Sequence, residues 1–434
     1  MRIVIDLVYL LTALVISPVA IYRVIRHKRY RSGWAQRFGK ITRRSPHRKC
    51  IWLHAVSVGE VNAARTIVKE LQSRFPNFEI IISTTTDTGF ARARALFGKD
   101  MTVFYFPLDF SWIMRRAFHR IQPTLCLLME LEVWPNFVRF AQQLNVPVVV
   151  VNGRISDKSF FRYRMVKPLV RRVFGKVSLV LAQTEEYAQR FNELGCPEEN
   201  VIVTGSLKYD TAQITNKVDG TDTLAKQLNV SDEQLWVAGA TGSGEEAIIL
   251  DVYKHLTRAG EFEDLRLAIV PRKPERFNEV GQLITDAGLS YIRYSTIKNG
   301  STTCSERTPV ILGDTMGDLR KFYSLAKIIF VGRSLVPMGG SDMMEAAALG
   351  KCTLFGPHAF NFKHTVDALL ADDAAILVRD QQGLLQTMRK CLTEPAFAKK
   401  IAKNGQEVIR KNQGATESTV AQIAKLLNSR GINL

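Results

Sequence analysis

Twice along its length the chain alternates short apolar runs with segments of helical periodicity, and no other feature limits its fold as tightly. The first series occupies residues 50–55, 78–84, 101–106, 124–129, 146–152, 178–182 and 201–204; the second occupies 235–240, 265–270, 291–293, 310–312, 328–331, 353–355 and 375–378. Runs this short and apolar suit strands covered on both faces, and the helical segments between them supply the crossovers a parallel sheet requires. Residues 209–233 interrupt the pattern with Gln213, Asn216, Asp219, Gly220, Thr221 and Asp222. Because 434 residues exceed the size at which one core keeps growing, two Rossmann-like α/β domains are expected. Their bounds are 50–210 and 235–434, with 211–234 as the linker. Both series open alike, with a tryptophan-bearing run, a glycine loop and then Glu60 in one case, Glu245 and Glu246 in the other.

Ahead of the first strand, residues 7–22 carry no charge, and residues 23–49 hold eleven Lys or Arg with no Asp or Glu. Outside that block the formal +18 falls to +7, so the basicity is local. The apolar stretch is close to the ~17 to 25 residues of a spanning helix if Asp6 is tolerated near its end; a buried core helix is the other reading. A cleaved signal peptide would carry its basic residues first, and only Arg2 stands there. Residues 1–22 are therefore expected to form a membrane anchor and 23–49 a basic membrane-proximal segment. Anionic lipid headgroups would attract that segment, and the positive-inside rule keeps the body in the cytoplasm. The rival for this block is a nucleic-acid arm with Tyr30, Trp34 and Phe38 stacking on bases. Aromatic and basic residues interleaved beside an apolar helix suit a membrane interface at least as well, and no nucleic-acid partner is expected. Six scattered cysteines without C-x-x-C, and seven histidines without a close ligand pair, give no sign of a disulfide framework or a zinc site.

The stretch Ile51-Trp-Leu-His-Ala-Val-Ser-Val-Gly-Glu60 leads from an apolar run through a glycine loop to a carboxylate. Ligands of open α/β sheets gather outside the carboxyl ends of the strands, where Glu60 would stand. Ser57-x-x-Glu60 equally matches a capping box, in which both side chains satisfy free N–H groups at a helix start. Glu130 and Glu132 end a second run and offer acids on the same rim, either for proton transfer or as an end-of-strand ion pair. In the second half, Pro271-Arg272-Lys273 follows a strand, where an Arg fork can grip phosphate or a proline-rich turn can simply precede a helix. Gly339-Gly340 precedes a helix expected near Ser341, whose free N–H groups would face an anion while Glu345 accepts from ribose hydroxyls. The absence of G-x-x-x-x-G-K-[ST] anywhere, and of G-x-G-x-x-G in the first half, argues against a P-loop NTPase and an ordinary dehydrogenase.

Together these segments resemble one family, the 3-deoxy-D-manno-octulosonic acid (Kdo) transferases of lipopolysaccharide assembly. The motifs are His54-Ala-Val-Ser-Val-Gly-Glu60, Glu130-Leu-Glu-Val-Trp-Pro-Asn136, Thr204-Gly-Ser-Leu-Lys-Tyr-Asp210, Pro271-Arg-Lys-Pro-Glu-Arg-Phe277, Gly313-Asp-Thr-Met-Gly317 and Phe355-Gly-Pro-His-Ala-Phe-Asn-Phe362. The resemblance implies a GT-B glycosyltransferase, two Rossmann-like domains facing a central cleft, with an N-terminal membrane-anchoring helix. It implies Glu60 as general base, Glu130 and Lys208 assisting charge development, and cytidine monophosphate (CMP) held by Pro271, Arg272, Met316, Gly317, Asp318, Asp342, Met343, Met344 and Glu345. The donor would be CMP-Kdo and the acceptor the lipid A precursor (lipid IVA), at the cytoplasmic face of the inner membrane. No cofactor or metal is expected, since the sequence lacks the D-x-D pair of metal-dependent sugar-nucleotide transferases. A transferase with another nucleotide sugar and a lipid acceptor is the alternative. Where the family usually shows Gly-Gly-His-Asn this chain has Ser341-Asp342, and Lys273 stands where a His commonly follows Pro-Arg. Asp342 beside a phosphate is expected to cap the helix or meet a hydroxyl.

Overall fold

The computed structural model describes residues 5–12, 14, 15, 17, 22, 32–230, 234–300 and 308–432. Two compact units divide the chain: Met1–Thr211 together with Asn412–Leu434, and Ala212–Lys411.

The first unit holds seven parallel strands: β1 (Lys49–His54), β2 (Phe78–Thr84), β3 (Thr102–Tyr105), β4 (Leu125–Met129), β5 (Val148–Gly153), β6 (Leu179–Ala182) and β7 (Val201–Val203). Their order is β3-β2-β1-β4-β5-β6-β7, so the winding reverses between β1 and β4. Each expected run became a strand within two residues, because β2, β4 and β5 are buried along their whole length and need no polar face. Alternate side chains supply two cores. Trp52 packs with Phe118 and Phe137 on one face, while Ile51 and Leu53 pack with Val61, Ile67 and Leu71 on the other.

The second unit repeats the plan with β8 (Gln234–Thr241), β9 (Leu265–Pro271), β10 (Tyr291–Arg293), β11 (Val310–Leu312), β12 (Ile328–Val331), β13 (Cys352–Phe355) and β14 (Ile376–Leu377). The order β10-β11-β9-β8-β12-β13-β14 reverses between β8 and β12. Fold class thus follows the expectation of two Rossmann-like domains.

The second domain's end needs correction, and two further expectations gain structural detail. The sequence division ended the second domain at 434, whereas the helix Ala415–Ser429 packs in the first unit. Its Val420, Ile423 and Leu427 join the cluster of Ile67 and Leu71, and Asp210 accepts from the Gly414 N–H at 2.8 Å. The basic segment is also less free than its charge suggests. Arg43 is buried on Glu79 (2.8 Å) and the Ile121 carbonyl (2.9 Å), Arg44 donates to the carbonyls of Gly98 and Lys99, and Arg37 donates to that of Thr85. Those cations are committed to holding the segment against the sheet; residues 23–31 lie outside the described residues. Finally, among the described residues no helix is long and apolar enough to cross a membrane. Within the expected anchor, residues 1–4, 13, 16 and 18–21 lie outside the description, while 5–12 are helical. Asp6, counted only as a tolerated charge, accepts from the Ser111 N–H at 2.9 Å, and Tyr9 donates to Asp109 at 2.9 Å. These bonds pin the helix to the body while Leu7, Val8, Leu10, Leu11 and Leu14 remain exposed.

Candidate active site

Beyond β1 the chain turns at Ser57 into the helix Val58–Arg74, and the capping box forms as its spacing implies. The Glu60 N–H donates to Ser57 Oγ (3.3 Å), Ser57 Oγ donates to Glu60 Oε1 (2.8 Å), and the Val56 N–H donates to Glu60 Oε2 (2.8 Å). Each carboxylate oxygen still keeps a lone pair for a substrate proton, so the cap and the base are compatible roles. Burial raises the Glu60 pKa from its ordinary value, opposed by the Val56 N–H and reinforced by the charge of Glu130. Glu130 follows β4, the neighbour of β1 across the reversal, and adopts a left-handed backbone (φ 54°) as its N–H bonds to the Val151 carbonyl. Ligands of doubly wound sheets bind at such a reversal.

Glu132 completes the rim. Burial, then the charges of Glu60 and Glu130, push its pKa up to about 7, although Trp134 Nε1 donates to it at 2.9 Å. His54 Nε2 lies 3.9 Å from Glu132, within ion-pair range, yet burial lowers the imidazole to about 3. The neutral ring follows from its complete enclosure, so this contact is not an ion pair. Lys208 reaches the neighbourhood indirectly: its helix, Leu207–Thr211, packs through Leu207 against Val61 and Ala64 of the Glu60 helix. Three acids, Glu60 and Glu132 among them with raised proton affinity, and a lysine-bearing helix therefore gather around the β1–β4 reversal.

In the second unit the carboxyl ends of β11, β9, β8 and β12 lie side by side. Arg272 follows β9 with its N–H on the Thr241 carbonyl (3.1 Å) and its side chain exposed. Glu345 keeps an exposed tip, but the surrounding protein, then the charge of Asp342, raises its pKa against the pull of Arg320 and Arg272. Met316 is exposed, and Gly317 (φ 89°) has open space where a side chain would be. Asp318 is already occupied by Lys298 (2.6 Å), Thr315 (2.7 Å) and Lys321 (2.9 Å). Burial works against its charge, but these donors prevail and hold its pKa down at about 2.

The expected phosphate loop differs in detail. The helix begins at Met344, not near Ser341, and Gly339 (φ 91°) and Gly340 (φ 81°) turn the chain ahead of it. Asp342 caps it by accepting the Met344 N–H at 2.9 Å, and the side chains of Met343 and Met344 are buried in the core rather than presented to a ligand. Both glycines serve the protein's own packing: a Cβ on Gly339 would stand 2.1 Å from Asn361 Nδ2, and one on Gly340 3.0 Å from Ala359 Cα. What the sequence reading missed is Glu245. Wholly buried, its carboxylate accepts from the N–H groups of Gly242 (2.9 Å), Ser334 (2.7 Å), Leu335 (2.8 Å) and Arg333, tying the β8 turn to the β12 turn. Its neighbour Glu246 takes a bidentate bond from Arg276, which removes Arg276 from any ligand role. The signal lay in two acids directly after a Gly-Ser-Gly turn, where a carboxylate at a helix start has several free N–H groups in reach.

Residues 32–211 match the family model of the 3-deoxy-D-manno-octulosonic-acid transferases (kdotransferases). The 3-deoxy-D-manno-octulosonic acid transferase of Haemophilus influenzae is 35% identical over 398 residues, 91% of each chain. That of Bordetella pertussis is 33% identical over 403 residues, covering 88% of this chain and 89% of its own. The crystal structure of Anabaena Alr3699/HepE in complex with UDP superposes with a TM-score of 0.58 at 15% identity, covering 88% of this chain and all of that one. A UDP-GlcNAc 2-epimerase from Neisseria meningitidis gives 0.56 at 16% identity over 87% of this chain and all of its own, so the shared fold by itself does not choose a reaction. Relatedness across nine-tenths of the length, with Glu60 and Glu130 meeting at the reversal of the first sheet, makes the choice: this chain belongs to the 3-deoxy-D-manno-octulosonic-acid transferases and is a glycosyltransferase that transfers Kdo.

Proposed function

We propose that the enzyme takes Kdo from CMP-Kdo and attaches it to the lipid A precursor, with Glu60 as general base and no metal in the chemical step. The observation that carries this reading is the Glu60 carboxylate, raised in proton affinity by burial at the β1–β4 reversal. An acceptor hydroxyl gives its proton to Glu60 as its oxygen bonds to the anomeric carbon of Kdo. The bond from that carbon to the phosphate oxygen breaks, and CMP leaves with the electron pair. Arg272, exposed at the end of β9, would meet the departing phosphate, and Glu345 the ribose hydroxyls. Exposed apolar residues on the first helix, and a lipid acceptor, support a working position at the cytoplasmic face of the inner membrane.

One substitution separates base from cap. Gln is accepted at that position of a capping box, so Glu60→Gln should melt near the wild-type temperature. An amide takes no proton, and general-base assistance is worth ~10²- to 10⁴-fold in rate. Assayed in EDTA with CMP-Kdo and lipid A precursor, the wild type should transfer Kdo at its usual rate and the variant at least a hundredfold slower. Near-normal turnover in Glu60→Gln would leave Glu60 a helix cap; loss of wild-type activity in EDTA would introduce a metal.

A further inference from the structure

After β5, on the same rim of the first unit as Glu60 and Glu130, the chain forms two consecutive helices, Asp157–Met165 and Lys167–Phe174. The first buries none of its side chains fully. Its inner face is made by Phe160 and Tyr163, three residues apart, which lean on the core. Its outer face presents Phe161 (68% exposed) and Met165 (72% exposed), four apart, and Val166 and Leu169 continue that face beyond the turn. Large apolar groups held outward in a row are costly in water and mark a contact surface.

Charge identifies the partner. Lys158, Arg162, Arg164, Lys167, Arg171 and Arg172 are all exposed, against Asp157 alone, which pairs with Arg190. A helix with apolar residues outward and a dense cationic border has the composition of one that rests in the headgroup layer of an anionic bilayer. The hairpin also neighbours the two places such a bilayer would serve: Tyr163 lies within the electrostatic reach of Tyr9 on the exposed apolar helix and of Glu132 on the catalytic rim. Within the basic segment Arg43 and Arg44 are tied to carbonyls and to Glu79, whereas the hairpin presents its cations at the surface of the body.

We propose that residues 157–174 form a bilayer-docking surface in the folded body, with Phe161, Met165, Val166 and Leu169 entering the headgroup layer and the flanking cations holding anionic phosphates. The proposal rests on the lipid-acceptor reading, since a water-soluble acceptor would need no such surface. The test uses the full chain in a Cys304→Ser background, the other five cysteines being buried. Nitroxides are placed by Phe161→Cys, Met165→Cys and, as reference, Gln282→Cys in the second unit. With vesicles of phosphatidylethanolamine and phosphatidylglycerol, labels 161 and 165 should become accessible to oxygen and shielded from a nickel chelate, and label 282 should stay in water. Phosphatidylcholine vesicles should weaken the effect. In parallel, Phe161→Ser/Met165→Ser should raise the KM for acceptor in vesicles on the order of tenfold, with kcat and the KM for acceptor in detergent unchanged. Labels that remain in water, equal losses in vesicles and detergent, or a wild-type dimer that the double variant dissolves would each overturn the proposal, the last assigning the face to self-association. A wild type inactive on lipid acceptor whose labels still enter the bilayer would sink the acceptor reading and leave the docking surface standing.

Discussion

Protonation of Glu132 is where burial at the rim becomes measurable. Its pKa stands at about 7 in the folded protein against an ordinary 4.5, so folding favours the protonated form. That contribution is complete below pH 4.5 and is lost as pH rises through about 7. Glu132→Gln keeps an acceptor for Trp134 without the charge, so its stability relative to wild type, followed by denaturant unfolding, should rise between pH 5 and pH 8 by on the order of 1–3 kcal/mol. A difference independent of pH would mean that Glu132 is not held in its neutral form. Arg272 is the counterpart in the second unit. Arg272→Ala should weaken CMP binding about tenfold or more, and Arg272→Lys should recover only part, because an ammonium cannot reproduce the bidentate fork. Calorimetry giving wild-type affinity in both variants would place the phosphate elsewhere.

Loops and helix ends were harder to foresee than strands, for a physical reason. A strand such as β4, apolar at every position, carries its burial in its own composition, whereas the role of Gly339 depends on Asn361, more than twenty residues away and invisible to local pattern. The capping box at Glu60 was legible because both partners lie within four residues. Glu245 was not, since three of its four donors come from the turn after β12. The turn ahead of the helix at Met344 likewise uses two positive φ angles that glycine permits but does not announce. A paired substitution tests this account. Gly317→Ala meets open space and carries only the strain of φ 89°, roughly 1 kcal/mol, while Gly339→Ala adds a collision at 2.1 Å. Gly339→Ala should therefore lower the melting temperature more than Gly317→Ala and displace the 332–345 turn; equal effects would show that Asn361 yields freely.

At the scale of the whole molecule the proposed reaction assigns the two units separate tasks. Hydrogen exchange with saturating CMP should slow amides at 240–246, 271–273, 314–318 and 332–345, and leave 54–60 unchanged; protection confined to the first unit would reverse the assignment. The helix Ala415–Ser429 also gives the molecule a history. Val420, Ile423 and Leu427 are each worth ~2 kcal/mol when buried, together a large part of the ~5–15 kcal/mol that holds an ordinary domain folded. On the ribosome the second unit emerges as one unbroken stretch and can close as it appears, whereas the first unit must wait, with Ile67 and Leu71 uncovered, until the helix Ala415–Ser429 has been made. Messages that end early at codon 412 would therefore cripple the half of the enzyme that was translated first.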